Sequence, residues 1–251
     1  MGSHRRLTAG LGVMALLFLA GCSSSQNHEA QVAETRPIQP GVEKTMIVIL
    51  GASYAQGWTP GCDGPLAFVN RGAPGEQSFE MLARFESDVL AEKPAAVILW
   101  GYINDIFRTD EAGRPAAKAR AREGFQEMIR LARAAGVKPI LATEVTIRQK
   151  AGIKESVAGM IGSVLGKTSY QDRINGHVTE LNDWLRALAE TENLLLLDFE
   201  KTLSGPDGRR KKGYANEDGS HITAEGYEAL TRYACEILDE HFREESEPRD
   251  R

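Results

Sequence analysis

The chain has 251 residues, of which 42% are apolar, and a formal net charge of -5. This length fits one domain with terminal extensions, and the apolar share is ordinary for a globular protein with a buried core. A general nucleic-acid binder needs a basic surface that neutralises phosphates, so the acidic balance argues against that class. Composition alone leaves the function open.

The N-terminus has the pattern of a bacterial export signal. Arg5 and Arg6 form a short positive segment, and an apolar run, LGVMALLFLA, follows at 11–20. The run is shorter than the roughly 20 residues that an apolar helix needs to span a bilayer. It leads into Leu-Ala-Gly-Cys, ending at Cys22, which resembles the lipobox of bacterial lipoproteins.

The lipobox resemblance implies cleavage before Cys22 and attachment of lipid to this residue. Residues 1–21 would then be a signal peptide. Residues 22–44 are polar and lack apolar periodicity, which predicts a flexible tether. Ser23 implies, by the usage of Gram-negative lipoproteins, an outer-membrane anchor with the domain facing the periplasm. The alternative is an ordinary signal peptide with a cysteine there by chance.

Cys62 and Cys235 remain once Cys22 is assigned to lipid. An exported protein lives where disulfides can form, but the sequence contains no Cα separation that would test a bridge. We predict two buried free thiols, and a Cys62–Cys235 disulfide is the alternative.

Residues 45–243 are predicted to form the domain, and residues 244–251 a polar tail. Continuous apolar runs predict five strands, at 46–50, 66–69, 95–100, 137–142 and 194–197. Apolar residues spaced three or four apart predict the intervening helices. One helix is expected to carry Phe79, Leu82, Phe85 and Val89 on one face. Others are expected at 125–132, at 174–188, and from an N-cap at Thr223 to 238.

Apolar strands that alternate with helices favour a mostly parallel five-stranded sheet with helices on both faces. Ligands of such sheets bind beyond the carboxyl ends of the strands. The functional residues are therefore expected directly after the strands and in the loop that leads to the last helix.

Four polar segments fall at that edge. Ser53 follows the first strand, the glycine-containing segment 70–76 follows the second, and Asn104 follows the third. Asp218 lies three residues before His221, ahead of the last helix, where it can accept the Nδ1–H and leave Nε2 free as a base. Each segment alone could be a turn or a helix cap. Together they supply a nucleophile, a base, an orienting carboxylate and oxyanion donors.

The segments GASYA, NRGAPGEQS, GYIND and DGSHIT resemble, in order, the four sequence blocks of the SGNH hydrolases, also called GDSL esterases. This resemblance implies a three-layer α/β/α, flavodoxin-like fold. It also implies Ser53 as the nucleophile and Asp218 with His221 as its partners. The oxyanion donors would be Ser53, Gly75 and Asn104.

The resemblance covers roughly residues 46–238 and has two departures. Ala52 stands where the family usually has an aspartate, and one extra residue separates Gly101 from Asn104. The α/β-hydrolases place their serine in G-x-S-x-G, whereas Ala55 occupies the second glycine position here. The chain therefore differs from that other class of serine hydrolase.

The resemblance implies ester hydrolysis through an acyl-enzyme, with no metal or organic cofactor. No cysteine–histidine cluster with metal-ligand spacing occurs in the sequence. Three functions stay open: an esterase for small acyl groups such as O-acetyl groups of envelope polysaccharide, a lysophospholipase or thioesterase, and a non-catalytic binding lipoprotein. The expected partners are a small-molecule, glycan or lipid ester and, through Cys22, the membrane. No nucleic acid is expected, and the oligomeric state is left open.

Two further segments bear on the substrate. Residues 147–170 are rich in glycine and apolar residues and suggest either a lid near the site or, in preference, an extra helix packed on the core. Residues 209–212 (RRKK) could attract an anionic ligand, but a solvated loop is the preferred interpretation.

Overall fold

The computed structural model describes residues 44–148 and 169–246. The predicted signal peptide, Cys22, nearly all of the tether, most of the 147–170 segment and the end of the C-terminal tail lie outside the described residues. Within the described ranges, no helix is both long enough and apolar enough to cross a membrane.

Five strands form one parallel sheet in the order β2-β1-β3-β4-β5. Their bounds are β1 Thr45–Gly51, β2 Leu66–Gly72, β3 Ala96–Trp100, β4 Lys138–Ala142 and β5 Leu195–Leu197. The five predicted strands are confirmed, and β2 continues beyond its predicted end at 69. This strand order is the flavodoxin-like one, so the carboxyl ends of all five strands meet at one edge.

Helices cover both faces of the sheet, which confirms the expected three-layer α/β/α fold. Their bounds are α1 Ser53–Gln56, α2 Ser78–Ala83, α3 Phe85–Asp88, α4 Ile103–Phe107, α5 Arg114–Ala134, α6 Tyr170–Glu192, α7 Phe199–Leu203 and α8 Ala224–Ser246. The three long helices α5, α6 and α8 match the predicted periodic segments. Thr223 precedes α8 and accepts from the backbone N–H of Gly226 at 3.1 Å, as an N-cap does.

The helix predicted from Phe79 to Val89 is only partly right. The structure divides it at Arg84 into α2 and α3, and 43% of Phe79 is exposed. The break follows from the contacts of Arg84, whose guanidinium reaches the Gly51 carbonyl at 3.1 Å and the Glu76 carboxylate at 2.7 Å. The segment therefore turns towards the sheet edge instead of continuing as one helix.

The prediction of two free thiols is wrong, because Cys62 and Cys235 form a disulfide with a Cα–Cα distance of 5.3 Å. Cys62 lies between α1 and β2, whereas Cys235 lies on α8, 173 residues away in the sequence. Their proximity arises only from the tertiary fold, which residue spacing does not encode. The bond ties the loop after α1 to the last helix.

Buried aromatic rings lie below α1. The ring of Trp100 is 4.8 Å from that of Phe199 and 5.8 Å from that of Trp58, measured between centroids. Tyr54 adds a fourth ring, 5.9 Å from Trp100. These edge-on and tilted contacts pack well and give the turn that carries Ser53 a rigid base.

Candidate active site

Ser53 is the first residue of α1, and only Ala52 separates it from the end of β1. Asn70, at the end of β2, holds this short helix by its far end. Its side-chain amide donates to the carbonyls of Ala55 at 2.7 Å and Trp58 at 2.8 Å, and its Oδ1 accepts from the N–H of Gly72. Asn70 had no assigned role in the sequence interpretation, although it opens the NRGAPGEQS block.

The glycine block, residues 70–78 (NRGAPGEQS), lies against the serine segment, residues 51–55 (GASYA). A Cβ on Gly72 would overlap the backbone of Gln56 in α1, so only glycine allows this close approach. The Ala73 N–H donates to the Gly51 carbonyl at 2.9 Å. Gly75 has a φ of +78°, in the left-handed region that glycine adopts without strain. The segment that bears Gly75 is thus fixed beside β1.

Asn104 lies in the short helix α4, after β3, and its side chain is directed towards the glycine block. Its Nδ2 donates to the Glu76 carbonyl at 2.9 Å. The next residue, Asp105, is buried and accepts from the N–H and the hydroxyl of Ser78, each at 2.8 Å. Burial raises the pKa of Asp105. Asn104 is thus next to the Gly75 segment, while Asp105 joins the loop to the start of α2.

The structure brings Asp218 and His221 into contact. Asp218 Oδ2 meets the ring Nδ1 of His221, and Oδ1 accepts from the N–H groups of Ser220 at 2.8 Å and His221 at 2.9 Å. Partial burial alone would raise the pKa of Asp218, but these hydrogen bonds outweigh it and lower the pKa to about 2. The carboxylate is therefore ionised at neutral pH. The side chain of His221 is 52% exposed, so its ring is accessible to a substrate.

Tyr54 links the serine segment to the turn at residues 218–221 (DGSH), called here the histidine turn. Its hydroxyl donates to the Ser220 carbonyl at 2.7 Å, and its ring lies edge-on to the His221 ring with centroids 6.4 Å apart. Tyr227 on α8 donates in turn to the Tyr54 carbonyl at 3.1 Å. Among the described residues, no hydrogen bond joins the Ser53 hydroxyl to His221. Such contacts are often long before a substrate binds.

Glu144 is a site residue that the sequence interpretation missed. It lies just beyond β4, is 1% exposed, and accepts from the N–H groups of Tyr102 at 2.9 Å and Ile103 at 3.2 Å. It therefore caps α4, the helix that carries Asn104. Burial raises the pKa of Glu144 to about 7. Its position in the sequence could have indicated it, because Glu144 follows the fourth strand, at the same sheet edge as the other polar segments.

The prediction that residues 209–212 are a solvated loop is wrong for Arg210. Arg209, Lys211 and Lys212 are exposed, but Arg210 is buried beside the histidine turn. In residues 44–148 and 169–246, no group of three or more histidine, cysteine, aspartate or glutamate side chains could hold a metal ion.

A groove of about 690 Å³ adjoins these segments. Its walls include Gly57 and Trp58, which follow α1, and Ile222 and Tyr227, which follow His221. Part of its lining therefore comes from the chain that follows α1 and from the chain that follows His221.

The model of the GDSL-like lipase/acylhydrolase family matches residues 49–229. The chain belongs to this family. This GDSL-type chain is also 26% identical over 162 residues to the uncharacterized lipoprotein YqeF of Bacillus subtilis. That match covers 64% of this chain and 62% of the relative.

Solved structures of GDSL-type proteins share the fold. A GDSL-like lipase from Bacteroides thetaiotaomicron is 19% identical, with a TM-score of 0.59, covering 81% of this chain and 92% of its own. A lipase/acylhydrolase from Enterococcus faecalis is 21% identical, with a TM-score of 0.58 and coverages of 78% and 96%. A catalytic mutant of Axe2, an acetylxylan esterase from Geobacillus stearothermophilus, is 16% identical, with a TM-score of 0.58 and coverages of 78% and 94%.

Proposed function

We propose that this GDSL-type hydrolase is a serine esterase in which Ser53 is the nucleophile, His221 the general base and Asp218 the residue that orients His221. One observation carries the proposal: the turn in which Asp218 contacts the His221 ring is hydrogen-bonded to Tyr54, the neighbour of Ser53. A carboxylate at Nδ1 fixes the tautomer and leaves Nε2 free to accept a proton.

The reaction proceeds in two balanced steps. Ser53 Oγ attacks the ester carbonyl while His221 Nε2 takes its proton, and the tetrahedral intermediate expels the alcohol, which receives that proton from His221. Water then attacks the acyl-enzyme and gives its proton to His221. Collapse of the second intermediate releases the carboxylic acid and returns the proton to Ser53.

Three N–H donors would hold the oxyanion in both steps. They are the backbone N–H groups of Ser53 and Gly75 and the side-chain amide of Asn104. The Asn104 amide has two hydrogens, and its bond to the Glu76 carbonyl uses one of them. The second is available to a substrate oxygen. Glu144 supports this donor, because it caps the helix on which Asn104 lies.

The substrate we favour is an ester with a small acyl group, such as an O-acetyl group on envelope polysaccharide. Support comes from the fold shared with the acetylxylan esterase. The groove lined by Gly57, Ile222 and Tyr227 would accommodate the remainder of the substrate. A lysophospholipase or thioesterase is the second candidate, supported by the shared fold of the two lipases and by the predicted lipid anchor, which would hold the enzyme at a membrane.

We further propose that a lipid anchor at Cys22 holds the protein in the bacterial cell envelope, at the outer membrane facing the periplasm. The resemblance to a protein named as a lipoprotein supports the envelope location. Replacing Cys22 by serine should release the protein from the detergent-soluble membrane fraction. Retention of Cys22→Ser in that fraction would contradict the anchor.

A panel of p-nitrophenyl esters from acetate to palmitate tests the reaction. Wild type should turn over at least one ester, and Ser53→Ala should abolish that turnover. Ser87→Ala, which removes an exposed hydroxyl from α3, is the matched control and should behave as wild type. A maximum at acetate favours deacetylation, and one at longer chains favours lipolysis. If no ester or acetylated glycan gives Ser53-dependent turnover, the chain is a binding protein that retains the fold.

A further inference from the structure

Arg210 differs from its neighbours in the basic segment 209–212. It is 1% exposed, whereas the side chain of Arg209 is 57% exposed and pairs with Asp172 at 3.2 Å. Burying a cation is costly unless it is hydrogen-bonded and compensated by other charges. The position of Arg210 therefore needs an explanation that a solvated basic loop does not provide.

The guanidinium of Arg210 donates to three consecutive carbonyls of the histidine turn. These are Gly219 at 3.2 Å, Ser220 at 2.7 Å and His221 at 3.2 Å. Ser220 also accepts from Tyr54, so one carbonyl joins the arginine to the serine segment. A planar guanidinium with several fixed donors suits such a set of acceptors, and a lysine ammonium does not reproduce it.

The backbone of Arg210 is fixed as firmly as its side chain. Its N–H donates to the Thr146 hydroxyl at 3.2 Å, and its carbonyl accepts from Arg148 at 2.7 Å. The Arg148 N–H donates to the Gly219 carbonyl at 2.7 Å. The segment after β4 thus supports both Arg210 and the turn that Arg210 contacts.

Four ionisable groups act electrostatically on this cation or on its partners: Glu144, Tyr54, Tyr227 and Asp218. Burial lowers the pKa of Arg210, but a guanidinium stays charged in proteins. One carboxylate oxygen of Glu144, Oε2, is buried and finds no hydrogen-bond partner among the described residues. Carbonyl oxygens therefore hold the arginine, and the ionised Asp218, whose pKa is lowered to about 2, supplies a compensating negative charge.

We propose that Arg210 is a positioning residue: by holding the carbonyls of Gly219, Ser220 and His221, its guanidinium fixes the His221 ring beside the serine segment. The inference rests on the proposed function, because the position of the His221 ring affects the rate only if His221 is the base for Ser53. Arg210 itself does not touch the substrate. Without it, the carbonyls of Ser220 and His221 would keep only the hydrogen bonds from the Tyr54 hydroxyl and the Asn216 N–H.

The first test compares Arg210→Ala with Arg209→Ala, which removes the same charge from the adjacent, exposed position. A misplacement of about 1 Å in an active site can lower the rate roughly 10²-fold. We expect Arg210→Ala to lower kcat on the best p-nitrophenyl ester by about that factor, with KM within about twofold of wild type. Arg209→Ala should match wild type. Arg210→Lys should stay slow, because it keeps the charge but lacks the planar set of donors.

Chemical rescue separates positioning from folding. Millimolar guanidinium should restore part of the kcat of Arg210→Ala by filling the vacated site, and equimolar urea should not. If Arg210→Ala does not fold, the kinetic measurements are made on Arg210→Lys, and a comparison of its pH profile with that of wild type replaces the chemical rescue. Rates equal to those of Arg209→Ala in the folded variant would overturn the proposal.

Amide hydrogen exchange gives a readout that does not need activity. The N–H groups of Ser220 and His221 donate to Asp218 in the wild type, and both should exchange faster in Arg210→Ala while the strands stay protected. Equal acceleration in the strands would mean that Arg210 only stabilises the fold. Absence of Ser53-dependent turnover in wild type would refute the esterase, yet the exchange data would still report on the arginine contact. If wild type shows Ser53-dependent turnover but the Ser220 and His221 amides exchange equally fast in Arg210→Ala and wild type, only the inference about Arg210 is refuted.

Discussion

Replacing Glu144 by glutamine should change how the stability of the protein depends on pH. Burial raises the pKa of this carboxyl from 4.5 to about 7. Its Oε1 accepts from Tyr102 and Ile103, contacts that the carbonyl oxygen of a glutamine keeps. Glu144→Gln therefore resembles the protonated wild type and removes the titration while leaving the cap on α4 in place.

The sign follows from the direction of the shift. Because the folded state binds the proton of Glu144 more tightly than the unfolded state, the wild type loses stability relative to Glu144→Gln as the pH rises from 4.5 to about 7. One pKa unit corresponds to about 1.4 kcal/mol, so the full difference is about 3 kcal/mol. The lowered pKa of Asp218, about 2, acts below this window and does not interfere.

Urea denaturation followed by tryptophan fluorescence, at pH 5 and pH 8 with the disulfide intact, measures this difference. Glu123→Gln, which neutralises an exposed glutamate on α5, controls for the loss of one charge. The free energy of unfolding of Glu144→Gln, relative to that of wild type, should be higher at pH 8 than at pH 5. For Glu123→Gln, the difference from wild type should be the same at both pH values. Parallel profiles for wild type and Glu144→Gln would refute the reasoning. They would mean that the charge of Arg210 compensates the burial of an ionised Glu144.

Three other changes have defined outcomes. Asn104→Ala should lower kcat on p-nitrophenyl esters by about 10²–10³ with little change in KM, since it removes one oxyanion donor; an unchanged kcat would exclude that role. Replacing both Cys62 and Cys235 by serine should lower the free energy of unfolding by about 2–5 kcal/mol in urea titrations, and reduced wild type should match the variant. Gly75→Ala should cost about 1–2 kcal/mol in the same titrations, because φ is +78°; a neutral result would contradict the left-handed backbone.

The sheet and the order of the polar segments could be predicted because both depend on local patterns. Continuous apolar runs such as 46–50 indicate buried strands without any knowledge of their neighbours. Parallel pairing then brings the residues after each strand to one edge, which is why Ser53, the glycine block and Asn104 lie in neighbouring segments that follow β1, β2 and β3. The contact of Asp218 with His221 is also local, since only three residues separate them.

The contacts that support these segments depend on tertiary structure and left little local signal. Arg209 and Arg210 are identical neighbours, yet one is exposed and the other buried, because only Arg210 faces the carbonyls of the histidine turn. Glu144 follows its strand in a segment that resembles an ordinary loop. The pairing of Cys62 with Cys235 joins parts of the chain 173 residues apart.

The hydrogen bond from Tyr54 to Ser220 joins residues that are 166 positions apart, so the proposed site is assembled from the two ends of the domain. A growing chain that has emerged only as far as β5 has its serine segment but no histidine turn. The proposed esterase activity therefore requires that the C-terminal part of the domain has docked against the serine segment.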